Sequence, residues 1–205
     1  VSDRLQVVDP MVSRAKFERE IAAFRSVEHV YRRQGCILID ATFPEVFIAI
    51  AVPQLKPTPI VAAVVIDYTD YDLEPLSVTF VDPFTREPLT AQNLSFGMWR
   101  RPPGISTENM AATMQFGQAP LAFIQSNSPD GRPFLCLPGV REYHDNPAHT
   151  GDPWLLHRGS GEGSLSFILD AIVAYGINPI ACYQVNIAAQ MNVVMMGIAP
   201  EKIPA

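Results

Sequence analysis

The stretch from Cys136 to His157, CLPGVREYHDNPAHTGDPWLLH, gathers one cysteine, one glutamate and three of the chain's four histidines. Two chemistries use such a set. A thiol nucleophile needs a proton acceptor and groups that orient it, and His and carboxylate side chains supply both. Zinc takes thiolate, imidazole and carboxylate in a tetrahedral shell, so Cys136 and Glu142 with two of His144, His149 and His157 would also make a ligand set. The spacing Cys-x5-Glu-x-His-x4-His-x7-His matches no compact finger pattern and lacks a second cysteine. A third reading is structural, with His149 and His157 capping turns or bonding backbone carbonyls in a loop rich in proline and glycine.

The surroundings of Cys136 bear on its reactivity. Arg132, Arg141 and the histidines are its sequence neighbours; positive groups lower a thiol pKa, whereas burial raises it. Cys36 opens an apolar strand and Cys182 lies in an apolar segment, where a free cysteine acts as a small buried hydrophobe. Three widely spaced cysteines make no secreted disulfide framework and fit a reducing cytoplasm. No signal peptide is expected from the opening residues.

The chain has 205 residues, 48% of them hydrophobic, enough for one packed domain spanning 1–205. A net charge of −6 gives no electrostatic footprint for nucleic acid. The most apolar window, Val46 to Ile66, is broken by Pro53, Lys56, Pro57 and Pro59, so no membrane-spanning helix is expected there. There is no Gly-x-x-x-x-Gly-Lys phosphate loop.

The elements that must position the cluster follow from periodicity. Asp9 is a good N-cap, Pro10 suits the first helical position, and Phe17, Ile21, Phe24, Val27 and Tyr31 recur at helical spacing, predicting a helix from Pro10 to Arg33 ended by Gly35. Its other face mixes Arg14, Arg19, Arg25, Arg32 and Arg33 with Glu18, Glu20 and Glu28, and reads as a solvated face with docking as the secondary reading. Strands are expected over Cys36 to Asp40, Val46 to Val52, Ile60 to Tyr68 and Leu76 to Val81. Short turns between them give an antiparallel four-stranded meander, and helices before and after make the class α+β.

The segment 82–120 reads as a long insertion in which Phe96, Met98, Trp99, Met110 and Met114 either fold back on the core or form a partner-binding surface. Leu121 to Gln125 is expected to be extended, and the turn SNSPDGRP leads through Phe134 and Leu135 to Cys136, where a strand or turn gives way to an irregular loop. Ser164 to Tyr175 reads as a buried helix stopped by Gly176.

This order of elements, with Pro75 before the last strand, Gly131 before the cysteine and the pair Cys136-Leu137, resembles the ubiquitin-conjugating enzymes over roughly residues 10 to 175. The resemblance implies that Cys136 carries a ubiquitin-like protein as a thioester and passes it to an amine. Its implied partners are a ubiquitin-activating-like enzyme, the ubiquitin-like protein and a protein target, with no metal or organic cofactor. The Cys136, Glu142, His144, His149 set also resembles a bacterial family described as a predicted metal-binding domain, encoded beside ubiquitin-like conjugation genes. That likeness implies zinc and a non-catalytic adaptor as the alternative.

The chain departs from the conjugating-enzyme pattern in lacking the His-Pro-Asn tripeptide. Asn127 stands in about the corresponding place without its flanking residues. If the enzyme reading holds, proton transfer falls to His144, with Asp145 or Glu142 orienting its ring.

Overall fold

The computed structural model describes residues 7–100 and 121–182. Helix α1 runs Pro10–Gln34, with the Asp9 side chain accepting from the Met11 N–H at 2.9 Å. Gly35 closes it at φ +102°, where an added Cβ would sit 2.2 Å from the Ala51 carbonyl oxygen, so only glycine fits. Phe17, Ile21, Phe24 and Tyr31 form the buried stripe as expected, but Val27 is 41% exposed. At 3.6 residues per turn Val27 lies about 40° outside the arc that the buried residues define.

The meander follows as β1 Cys36–Thr42, β2 Glu45–Ala51, β3 Ile60–Asp67 and β4 Ser77–Val81, paired antiparallel in the order β1-β2-β3-β4. The architecture is α+β, as the periodicity predicts. Alternation sorts β2 between two layers. Val46, Ile48 and Ile50 join Val64, Ile66, Val78 and Phe80 in the main core beneath α1, while Phe47 packs with Ala63 and Val81 on the opposite face. Arg86 covers that smaller cluster, its guanidinium 4.4 Å from the Phe47 ring centre.

Glu20 ties α1 to the remaining elements. Its carboxylate accepts from the hydroxyls of Tyr68 and Tyr71 and from the Leu165 N–H, each at 2.9 Å. Leu165 opens helix α3, Leu165–Ile172, whose N-cap Ser164 accepts from the Phe167 N–H. Gly176 does not stop this helix as predicted. It lies inside a widened turn, Val173–Ile177, and an added Cβ would meet the Phe96 ring at 2.2 Å. The glycine makes room for Phe96.

Phe96 and Met98 therefore fold back on the core, whereas Trp99 is 55% exposed; Met110 and Met114 lie outside the described residues. Beyond Ala91–Asn93, a single 3-10 turn, β5 Trp99–Arg100 pairs with β6 Leu121–Ala122. The stretch expected to be extended, Leu121 to Gln125, is divided at Phe123, after which β7 Ile124–Gln125 and β8 Phe134–Leu135 form a hairpin. Cys36 is fully buried, and burial, with Asp170 adding to it, pushes its thiol up to about 12. Cys182 is exposed, contrary to expectation. Most of the apolar segment 180–198 lies outside the described residues. Among the described residues no helix is long and apolar enough to cross a membrane.

Candidate active site

Cys136 follows β8 directly, and its N–H donates to the Phe123 carbonyl at 2.6 Å, which fixes the backbone at the point where the strand ends. The chain then turns through Gly139 into a one-turn helix, α2, Arg141–His144. Gly139, at φ +90°, lies against Gly163, and a Cβ on Gly139 would stand 2.3 Å from the Gly163 nitrogen. Two backbones cross there, the cysteine loop and the loop that leads into α3. Trp154 ties the second loop to the connection between β3 and β4, its indole N–H donating to the Asp72 carbonyl at 3.0 Å.

Two side chains, the buried Arg141 and the half-buried Glu142, anchor α2 to the sheet. Arg141 donates to the carbonyls of Pro75 and Thr69. Its guanidinium is engaged there, so its sequence proximity to Cys136 does not lower the thiol pKa; burial instead raises it. Arg132 is exposed. Glu142 accepts from the Ser77 hydroxyl and, at 3.1 Å, from the Val78 N–H, which turns its carboxylate toward β4. Burial raises the pKa of Glu142 against the opposing effect of those donors.

The ring that meets Cys136 is His149, with Sγ and Nε2 3.2 Å apart. His149 ends a 3-10 turn, Pro147–His149, capped by the Asn146 side chain. The Tyr143 ring stacks on it at 4.0 Å between centres and 23° between planes. The Tyr143 hydroxyl donates to Asp152 Oδ2 at 2.7 Å. Burial, then this carboxylate, push the phenol up to about 12, so it remains a donor at neutral pH.

Asp152 joins the histidines. Its Oδ1 lies 2.6 Å from His157 Nε2, and His157 Nδ1 lies 2.5 Å from Glu162 Oε2. Carboxylate oxygens only accept, so an imidazolium, with a proton on each nitrogen, satisfies both contacts. The Asp152 hydrogen bond is the leading cause that raises the His157 pKa, and the Tyr143 and His157 contacts lower that of Asp152.

His144, the residue expected to transfer protons, is held differently. Its Nε2 accepts from the Gly139 N–H at 3.2 Å, and its Nδ1 donates to the Asp152 carbonyl at 2.9 Å. Both ring nitrogens are thus engaged by backbone, and the groups that orient it are Gly139 and Asp152. Asp145 ends α2, with its N–H donating to the Arg141 carbonyl at 2.9 Å. Asn127 is exposed in the turn at the far end of the β7–β8 hairpin from Cys136.

Of the four residues expected as a zinc set, the fold pairs only Cys136 with His149. Among the described residues no three His, Cys, Asp or Glu side chains converge as a metal-binding group. Tyr143, Asp152 and Glu162 are the site residues that sequence reasoning missed. Asp152 and Glu162 each lie five residues from His157, a spacing that could have signalled them.

The sequence profile of the Y4jH-like family matches residues 8–180, a span that contains α1, the sheet and the whole cysteine loop. The chain belongs to the Y4jH-like family. It is 53% identical over 203 residues to the uncharacterized protein y4jH of Sinorhizobium fredii (strain NBRC 101917 / NGR234), with 98% of each chain covered.

Proposed function

We propose that this Y4jH-like protein is a ubiquitin-conjugating-like enzyme that holds a ubiquitin-like protein as a thioester on Cys136 and delivers it to an amine. The observation that carries the reading is the 3.2 Å contact between Cys136 Sγ and His149 Nε2, at the end of a strand that follows an N-terminal helix and antiparallel meander. A thiol whose pKa is raised by burial is a weak nucleophile at neutral pH unless a base takes its proton, and the His149 ring is within reach to do so.

In the first step the Cys136 thiol gives its proton to His149 Nε2, and the sulfur attacks the carbonyl carbon of the thioester on an activating enzyme. A new carbon–sulfur bond forms, the activating enzyme's sulfur leaves, and it takes up the proton from His149. In the second step an amine attacks the Cys136 thioester. The amide bond forms, the Cys136 sulfur leaves, and the amine's proton passes through His149 to that sulfur. His149 takes the proton-transfer role that the sequence assigns to His144, and His144 acts as a brace between Gly139 and Asp152. A free thiol of this kind suits a reducing cytoplasm. The zinc-binding adaptor alternative draws no comparable support, because Glu142 and His144 would have to leave the partners that hold them.

The test is incubation of the full chain with an activating enzyme, ubiquitin-like protein and ATP from the same organism. Intact mass and non-reducing gels should show an adduct that thiols cleave and that Cys136→Ala lacks. Absence of that adduct when the activating enzyme is itself charged would overturn the reading. Stoichiometric zinc that blocks the Cys136 thiol would replace it with the metal-binding one.

A further inference from the structure

The contact between Cys136 and His149 is supported by groups that never touch the sulfur. His149 stands on a loop, at the end of a single 3-10 turn, and the Tyr143 ring covers one of its faces. Tyr143 belongs to α2, which is fixed to the sheet through its neighbours Arg141 and Glu142. The stack therefore refers the loop-borne imidazole to the core. Stacking alone leaves the phenol free to swing about its side-chain torsions. The hydroxyl removes that freedom, because it donates to Asp152, whose other oxygen faces His157, which in turn faces Glu162. The Asp152 backbone is held as well, through His144.

We propose that Tyr143, anchored by Asp152, is the positioning residue that fixes His149 as the proton acceptor of Cys136. The inference rests on the Cys136–His149 pairing used above, and it adds what holds that pair together. A ring stacked at 4.0 Å sets the plane of the imidazole and so the direction of its Nε2 lone pair. A loop histidine without that support samples several rotamers, and only a fraction of them meet the thiol. The Tyr143 side chain is partly exposed, so its truncation disturbs the site more than the core. The acidic groups around the stack are Asp152 and Glu162, and the basic ones are His144, whose ring centre lies 5.0 Å from that of Tyr143, and His157, whose ring centre lies 5.6 Å from that of His144.

The experiment is a double-mutant cycle read by Cys136 alkylation with iodoacetamide at neutral pH. It uses the full chain, needs no partner protein, and is accompanied by a thermal melt of each variant. His149→Ala should slow alkylation about tenfold or more, and Tyr143→Leu should approach that rate. Tyr143→Phe, which keeps the ring and loses the anchor, should fall between wild type and Tyr143→Leu, as should Asp152→Ala. In the His149→Ala background, Tyr143→Leu should add no further loss, because the residue it positions is gone. An equal loss in both backgrounds would overturn the proposal by showing that Tyr143 acts independently of His149. A wild-type rate in His149→Ala would overturn it too, by removing the acceptor. Coupling in this cycle without a thioester adduct in the conjugation assay would leave the positioning role standing and remove the conjugating function alone. A Tyr143→Leu chain that fails to melt cooperatively hands the decision to Tyr143→Phe and Asp152→Ala, whose effects must likewise vanish in the His149→Ala background.

Discussion

Cys136 Sγ and His149 Nε2 lie 3.2 Å apart although the two residues are thirteen positions apart in the chain, with the whole of α2 between them. With the thiol as donor, Nε2 must be the unprotonated ring nitrogen, which is the arrangement that proton transfer requires. His149→Ala should therefore slow single-turnover transfer from Cys136 to an amine on the order of 10²-fold. His144→Ala should act through loop order, with a smaller loss of transfer and a lower melting temperature. Rapid-quench transfer assays beside thermal melts separate the two, and equal kinetic losses with equal destabilisation would remove the distinction.

The pair His157 and Asp152 gives stability a pH signature. His157 has a raised pKa, first from Asp152, so its contribution is fully present below the unfolded histidine value and is lost as pH rises through the folded one. Asp152 has a lowered pKa, first from the Tyr143 hydroxyl, so its contribution is present above the unfolded aspartate value and is lost as pH falls through the folded one. Both operate together between about pH 4 and 6.5. The melting-temperature deficit of His157→Gln should be greatest in that window and shrink on the alkaline side; a deficit independent of pH would contradict the ionic role.

Glu20 satisfies three donors from two other parts of the chain, Tyr68 and Tyr71 after β3 and Leu165 at the start of α3. Tyr68 is fully buried and Tyr71 nearly so. Glu20→Ala should cost at least about 2 kcal/mol in urea denaturation, since each buried donor left unpaired costs about 1–3 kcal/mol. Combining it with Tyr68→Phe should cost less than the sum of the two single changes. Strict additivity would mean that the hydroxyl and the carboxylate do not share an interaction.

Gly139 is required by sterics as well as by conformation. Its φ of +90° disfavours an L side chain, and its added Cβ would collide with Gly163 backbone rather than with a movable side chain. Gly139→Ala should destabilise the fold by about 1–3 kcal/mol and slow Cys136 alkylation, because the same residue's N–H holds His144. A fully stable and fully reactive Gly139→Ala would show that the two loops need not cross so closely.

Arg141→Lys should fail to restore the wild-type melting temperature. One planar guanidinium reaches two carbonyls, Pro75 and Thr69, whereas an ammonium is a compact point donor. Recovery of full stability by lysine would show that charge, rather than the fork, anchors α2.

Local chemistry made α1 and the meander legible. Asp9, Pro10 and Gly35 mark the ends of α1 through contacts close in sequence, and the alternation of Val46, Ile48 and Ile50 against Phe47 states which strand faces are buried. Cys136 was readable for the same reason, since it follows a turn and a short strand. The choice among His144, His149 and His157 was not readable, because ring orientation in an irregular loop depends on partners brought in from elsewhere. Gly139 against Gly163, Trp154 against Asp72 and Arg141 against Pro75 set the path of the two loops. Residue order and periodicity suffice to put a cysteine, with histidines nearby, where a strand or turn gives way to a loop in an α+β domain. Which histidine meets the thiol is set by folding, because Tyr143 and Asp152 act on His149 through contacts that exist only when those loops come together.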